Sequence, residues 1–171
     1  MSTNTTSVWR KKLKELEIVV VIPTYNNGKT LAAVIEEVCR YADDIIVVND
    51  GSTDDTANIL EQYPAIRTIT HPVNKGKGTA LKHGLSQAKK EGFRYAITID
   101  SDGQHFASDI PCFIEAIEKE PDTLLVGARN LASDNITFSS CISVCLKLPQ
   151  SIYCLSAVRV VIRFLLSAEG L

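Results

Sequence analysis

The segment Ile18-Val19-Val20-Val21-Ile22 contains no polar residue, and every member is β-branched. A strand with one wet face alternates apolar and polar side chains, so an unbroken run predicts a strand covered on both faces, as in a parallel sheet packed between helices. Pro23 ends it. Thr30 is placed to cap a helix whose apolar residues Leu31, Val34, Ile35 and Val38 form one stripe. Residues 45–48 repeat the strand pattern, Asn49-Asp50-Gly51-Ser52 has turn chemistry, and Thr53-Asp54-Asp55-Thr56 opens a second helix with acids where the helix dipole favours them. Pro64 marks its end. A weaker strand at 67–70, a helix at 76–91, a strand at 95–100, a helix at 109–120 and a strand at 123–128 continue the alternation. From residue 17 to 130 the succession predicts an α/β fold with an open, mainly parallel sheet and helices on both faces.

The chain has 171 residues, 45% of them hydrophobic, which suits one domain with a substantial core. A net charge of -2, from 18 basic and 20 acidic side chains, gives no field that would attract nucleic acid. Cys39, Cys112, Cys141, Cys145 and Cys154 include no C-x-x-C pair, and their odd number cannot close into a full set of disulfides. A reducing, cytoplasmic setting is the simpler expectation. No signal-peptide pattern follows the basic segment Arg10, Lys11, Lys12 and Lys14, and no run of eighteen apolar residues occurs. The nearest approach, residues 152–166, is short and carries Arg159 and Arg163 four apart, which reads as an amphipathic helix packed on its own domain. The basic segment is either plainly solvated or a peripheral contact with the cytoplasmic face of a membrane.

In a parallel sheet joined by right-handed crossovers, the carboxyl ends of the strands share one edge, and ligands bind there. Four polar loops fall at that edge: 23–27, 49–52, 71–78 and 100–104. The last, Asp100-Ser101-Asp102-Gly103-Gln104, sets two carboxylates one residue apart, able to converge on a hard cation and hold it against phosphate oxygens. Tyr25 can lie beside a planar base, Asp50 can accept hydrogen bonds from base N–H groups, Lys75 can offset phosphate charge, and Gln104 offers a neutral oxygen ligand. Each has a structural alternative: Tyr25 covering the sheet edge, Asp50 bracing its turn, Lys75 solvated in a glycine-rich loop. Four independent loops imitating one nucleotide site is the heavier assumption.

Two phosphate-loop motifs fail. Gly28-Lys29-Thr30 lacks the glycine five positions earlier that a P-loop needs, where Pro23 stands. Gly76-Lys77-Gly78-Thr79-Ala80-Leu81 lacks the last glycine of a dinucleotide fingerprint and follows the third strand, not the first.

Taken in order, Val21-Ile22-Pro23-Thr24-Tyr25-Asn26, Val47-Val48-Asn49-Asp50-Gly51-Ser52-Thr53-Asp54, Asn74-Lys75-Gly76-Lys77-Gly78-Thr79-Ala80-Leu81 and Asp100-Ser101-Asp102-Gly103-Gln104-His105 resemble the family 2 glycosyltransferases. The resemblance is closest to the polyprenyl-phosphate, dolichyl-phosphate mannose synthase-like branch and spans residues 17–130. It implies a GT-A, Rossmann-like fold, a nucleotide-diphosphate sugar donor, Mg2+ or Mn2+, and transfer with inversion to a lipid-phosphate or glycan acceptor. By position it implies a donor site of Pro23, Thr24, Tyr25, Asn27, Asp50, Lys75, Asp100, Ser101 and Asp102. Asp102 and Gln104 are the implied metal ligands, with Asp100 near ribose and metal. Arg129 is the implied contact to donor or acceptor phosphate, a task suited to a guanidinium fork. The resemblance assigns no catalytic base.

Two positions depart from the family pattern. Asn27 stands where many relatives carry an acid, and Asn49 where many carry aspartate. Residues 1–16 read as a basic extension, 17–130 as the nucleotide-sugar domain, and 131–171 as an atypical tail whose only carboxylates are Asp134 and Glu169. That tail is a divergent acceptor region, a truncated product or a frame-shifted stretch. The rival functional readings are a donor-binding fragment without turnover and a nucleotidyltransferase, although the latter would carry a glycine-rich loop after its first strand.

Overall fold

The computed structural model describes residues 3–103, 107–119, 121, 125–127, 141–143 and 159–163. The elements are α1 (Thr3–Glu15), β1 (Ile18–Thr24), α2 (Gly28–Cys39), β2 (Ile45–Asn49), α3 (Thr56–Glu61), β3 (Arg67–Thr70) and α4 (Lys77–Lys90). They continue with β4 (Tyr95–Thr98), a 3-10 turn (Ala107–Asp109), α5 (Ile110–Lys119), β5 (Leu125–Gly127), β6 (Cys141–Ser143) and β7 (Arg159–Arg163). The strands form one sheet in the order β3-β2-β1-β4-β7-β5-β6. The first four are parallel, in registers that pair Val20 with Ile45, Val20 with Ile97 and Ile46 with Arg67.

β1 lies at the centre of this parallel part and all seven of its residues are buried, as its apolar run requires. Alternate residues feed two cores. Val20 and Ile22 face the α2 stripe of Leu31, Val34, Ile35 and Val38 and the α5 residues Phe113, Ile114 and Ile117. Val19 and Val21, with Ile46 and Val48, meet Ala80, Leu85 and Ala88 of α4. Gly84 sets the closeness of that second layer: a Cβ there would stand 2.6 Å from Val21 Cγ1 and 3.0 Å from Val48 Cγ2. β3 is the exposed edge, which accounts for its weak sequence signal.

The far side of the sheet differs from the sequence expectation. Residues 159–163, expected inside an amphipathic helix, form β7, antiparallel to both β4 and β5. The arginine spacing suited a helix, but Val160-Val161-Ile162 is a β-branched triplet, and the open edge of β4 offers it a hydrogen-bonding partner. β7 thereby separates β4 from β5, which runs parallel to β4 but pairs with β7 and β6.

The basic amino-terminal segment is occupied by structure. Leu13 is buried in the main core and Trp9 packs against it. Arg10 donates to the carbonyl oxygens of Cys39 and Arg40 at the end of α2 and pairs with Asp43 at 3.0 Å, an appropriate place for a cation at a helix C-terminus. Lys12 reaches Glu118 of α5 at 2.7 Å. No described helix is long and apolar enough to cross a membrane.

Candidate functional site

The order β2-β1-β4 places a topological switch between β1 and β4, since the chain moves to one side of β1 for β2 and β3 and to the other for β4. At the carboxyl ends of these strands the loops enclose a cavity of about 280 Å3. Its wall includes Pro23, Thr24, Tyr25, Asn27, Asp50, Asp100, Ser101 and Asp102, together with Asn74, Gly76, Lys77 and Ala80. Eight of the candidate donor-site residues are thus brought to one cavity. Lys75 is not among its wall residues; it contributes its backbone N–H to Asp50 while Lys77 supplies a charged side chain to the wall. Gln104 and Arg129 lie outside the described residues.

The loops are tied to one another by hydrogen bonds that the sequence type explains. Asn26 adopts φ 53, a left-handed conformation that Asn tolerates, and its Oδ1 accepts from Thr53 N at 2.8 Å. Gly51 also has positive φ, and a Cβ on it would stand 2.4 Å from the Val73 carbonyl carbon, so only glycine lets the β2 and β3 loops meet. Asn49 is buried and its Oδ1 accepts from Ser52 N at 3.0 Å; an amide fills that role without burying a charge. Asn27 Nδ2 donates to Ser101 Oγ at 2.7 Å, so this neutral amide ties the loop after β1 to the turn after β4. Thr30, expected as a cap, lies inside α2, and its hydroxyl donates instead to the Ser101 carbonyl at 2.6 Å. Asp54 accepts from Gly28 N and from both the amide and hydroxyl of Thr56, joining the starts of α2 and α3. The Thr56 hydroxyl, outweighing the partial burial that opposes it and aided by the Gly28 amide, holds the Asp54 carboxyl below its ordinary range.

Asp50 is 2% exposed. Its Oδ1 accepts from His71 Nδ1 at 2.6 Å and from the Lys75 amide at 2.9 Å. Burial by itself would raise its pKa, but the hydrogen bonds from His71 and the backbone of Lys75 and Gly76 outweigh it, so the carboxyl sits below its ordinary range. His71 Nε2 in turn meets His83 Nδ1 at 2.7 Å. Sequence reasoning missed both histidines. The sheet brings them together: Asn49 pairs with Thr70 in register, so the next residues, Asp50 and His71, leave adjacent parallel strands side by side.

Elsewhere in the cavity wall, Lys77 Nζ lies 2.7 Å from Asp100 Oδ2. Asp100 and Asp102 offer hard oxygen donors on one wall. Among the described residues no three His, Cys, Asp or Glu gather as a metal cage. Two carboxylates fit a cation of the magnesium type, which usually completes its shell with water and substrate phosphate. Thr24 Oγ1 adds a second observation of fit: it is buried in the cavity wall with no hydrogen-bond partner among the described residues, a cost that a polar ligand would remove.

The family model described as glycosyl transferase family 2 matches residues 19–141. The chain belongs to glycosyltransferase family 2. Among curated relatives, the UDP-N-acetylglucosamine–dolichyl-phosphate N-acetylglucosaminyltransferase of Methanococcus voltae is 33% identical over 129 residues, covering 66% of this chain and 51% of the relative. The human dolichyl-phosphate beta-glucosyltransferase is 31% identical over 130 residues, covering 66% of this chain and 37% of the relative. These relatives match the polyprenyl-phosphate branch of the family. The chain spans about half or less of the length of these relatives. Glucosyl-3-phosphoglycerate synthase from Mycobacterium tuberculosis, crystallised with UDP and Mn2+ or with UDP and Mg2+, superposes with a TM-score of 0.55 at 26% identity. In the Mn2+ complex the match covers 70% of this chain and 46% of that one. The family 2 fold of this chain is accordingly of the GT-A type.

Proposed function

We propose that this family 2 chain binds a UDP-sugar with Mg2+ or Mn2+ and transfers the sugar, with inversion, to a polyprenyl phosphate. The observation that carries the reading is the meeting, in one cavity at the switch point, of a buried acceptor (Asp50), a hydroxyl without a partner among the described residues (Thr24), an exposed aromatic (Tyr25) and a carboxylate pair (Asp100 and Asp102). Uridine is favoured over guanosine by the UDP named for the Methanococcus voltae relative and by UDP in the Mycobacterium tuberculosis complexes.

In this reading Tyr25 and Thr24 line the nucleoside end and Asp50 accepts from the base. Asp100 and Asp102 hold the cation, with Gln104 a third candidate ligand and Arg129 a candidate phosphate contact. A bound Mg2+ or Mn2+ supplies charge stabilisation for the departing diphosphate. Lys77 brings a positive charge to the same wall and offsets repulsion between the two carboxylates and the donor. The acceptor phosphate is already ionised at neutral pH, so its oxygen attacks the anomeric carbon without a protein base while the bond from that carbon to UDP breaks. One displacement inverts the configuration.

The test has two parts. Isothermal titration with UDP and GDP, with and without Mn2+, is expected to give metal-dependent binding that favours UDP and is lost in Asp102→Ala. Incubation with a UDP-sugar and a polyprenyl phosphate is expected to release UDP and form a sugar-phosphate lipid. Pyrophosphate release from UTP and a sugar 1-phosphate, offered in a parallel incubation, would mark nucleotidyl transfer, binding without turnover would leave a donor-site module, and no binding by the folded chain would overturn the reading.

A further inference from the structure

We propose that His71 is a positioning residue for donor recognition, locked between Asp50 and His83 so that the Asp50 carboxylate is presented to the nucleotide base in one fixed orientation. The inference rests on reading the cavity as a nucleotide-sugar site.

His71 is 4% exposed, and both of its ring nitrogens are engaged, Nδ1 with Asp50 Oδ1 at 2.6 Å and Nε2 with His83 Nδ1 at 2.7 Å. Turning the ring would break both bonds inside a buried site, where an unmade hydrogen bond is costly. The proton at Nδ1 belongs to the imidazole, because the ionised carboxylate only accepts. If His71 is neutral, its Nε2 accepts from His83; if it carries a second proton, its Nε2 donates to His83. In both states Asp50 receives the same hydrogen bond on the same oxygen.

The Lys75 amide adds a second donor to that oxygen at 2.9 Å. Two donors on Oδ1 fix the carboxylate plane. A base edge that presents N–H, such as the imide of uracil, satisfies an acceptor held in this way. The backbone accounts for the arrangement: the β2–β3 register sets Asp50 beside His71, the His71 amide donates to the Asn49 carbonyl at 2.9 Å, and α4 returns His83 to the same place. The T-shaped contact of the two rings, with centroids 4.7 Å apart, holds the outer link.

The experiment is isothermal titration of the full chain and three variants, His71→Ala, His71→Asn and His83→Ala. One series uses UDP with Mn2+ and the other inorganic pyrophosphate with Mn2+. An asparagine amide can stand close to the position of Nδ1, so His71→Asn keeps a donor for Asp50 and drops the link to His83. His71→Ala is expected to weaken UDP binding about tenfold or more, His71→Asn to recover most of that loss, and His83→Ala to cost about two- to fourfold. Pyrophosphate binding is expected to stay within about twofold throughout, because it does not use the base contact.

Unchanged UDP affinity in His71→Ala overturns the proposal. So does an equal loss for UDP and pyrophosphate, the mark of a merely structural role. If His71→Ala does not fold, the other two variants decide: near-normal His71→Asn with a weakened His83→Ala supports positioning, and a His71→Asn that loses UDP binding overturns it. A parent chain that binds no nucleotide overturns both this inference and the donor-site reading. A parent that binds UDP while every variant matches it overturns this inference alone.

Discussion

Asp50 leaves β2 and Asp100 leaves β4, the two strands that flank β1, yet the protein holds these carboxylates in different ways. Asp50 is buried and braced by an imidazole and a backbone amide, both parts of the fold that cannot swing away. Asp100 is 18% exposed along its side chain, and its ion-pair partner is the flexible stem of Lys77, itself 38% exposed. A rigid acceptor suits a contact that reads the shape of a base. An adjustable ion pair suits a place where a cation and a diphosphate must enter and leave, because a lysine exchanges partners at small cost near a surface.

The largest effect that would sharpen this comparison is at the adjustable end. Asp102→Ala is expected to weaken UDP binding in Mn2+ by about a hundredfold, since it removes a charged group proposed as a ligand to the cation. The melting temperature should hardly move, because Asp102 is exposed. Titration paired with a thermal melt checks both. At the rigid end the outcome reverses in kind: Asp50→Asn is expected to weaken UDP binding about tenfold and also to cost ~1–3 kcal/mol of stability, because the amide disrupts a buried charge-assisted bond to His71. Urea unfolding at pH 7 measures the second quantity. An Asp50→Asn variant as stable as the parent would break the distinction between the two ends.

The rigid end was the less legible of the two in the sequence. Asp50 and the Asp100-Ser101-Asp102 turn stand out because acids follow apolar strands at the edge where ligands bind, and the alternation of strands and helices locates that edge. His71 and His83 sit in different elements, and their meeting depends on the β2–β3 register and the return of α4, which are tertiary facts. The predicted helix at 76–91 already separates Lys77 from Lys75 in the preceding loop, but only the tertiary structure shows that Lys77 is the one that lines the cavity. The failure at 159–163 has another cause. Arginines four apart outweighed a β-branched triplet because the open edge of β4, which pairs with it, is invisible in a local window.

Lys77→Met separates the two functions that the adjustable end combines. With the ammonium gone, Asp100 loses the cation that neutralises it at 2.7 Å, so Mn2+ alone is expected to bind about two- to fivefold more tightly. UDP in saturating Mn2+ is expected to bind about two- to fivefold more weakly, because a positive charge proposed to face the diphosphate has been removed. Opposite signs in the two titrations would identify Lys77 as a counter-ion shared between protein and donor. A change of the same sign in both would reduce it to an ordinary surface ion pair.

The smallest effect, and the one that isolates bracing from ligand binding, is the acid limb of stability. The hydrogen bonds on Asp50 overcome its burial and hold its pKa below the ordinary value of 3.8. A folded-state pKa below the unfolded one means that the unfolded chain takes up the proton first as pH falls. The stabilisation from Asp50 is therefore complete above the ordinary carboxylate range and is lost as pH drops through 3.8 toward the lower folded value. Asp54, lowered mainly by the Thr56 hydroxyl, loses its contribution in the same direction. Urea unfolding of the parent between pH 6 and pH 3 is expected to show a falling limb that Asp50→Asn makes shallower without removing, the remainder belonging in part to Asp54. Equal slopes in parent and variant would mean that His71 and the Lys75 amide do not favour the ionised form, and the rigidity argued for this end would have to come from packing alone.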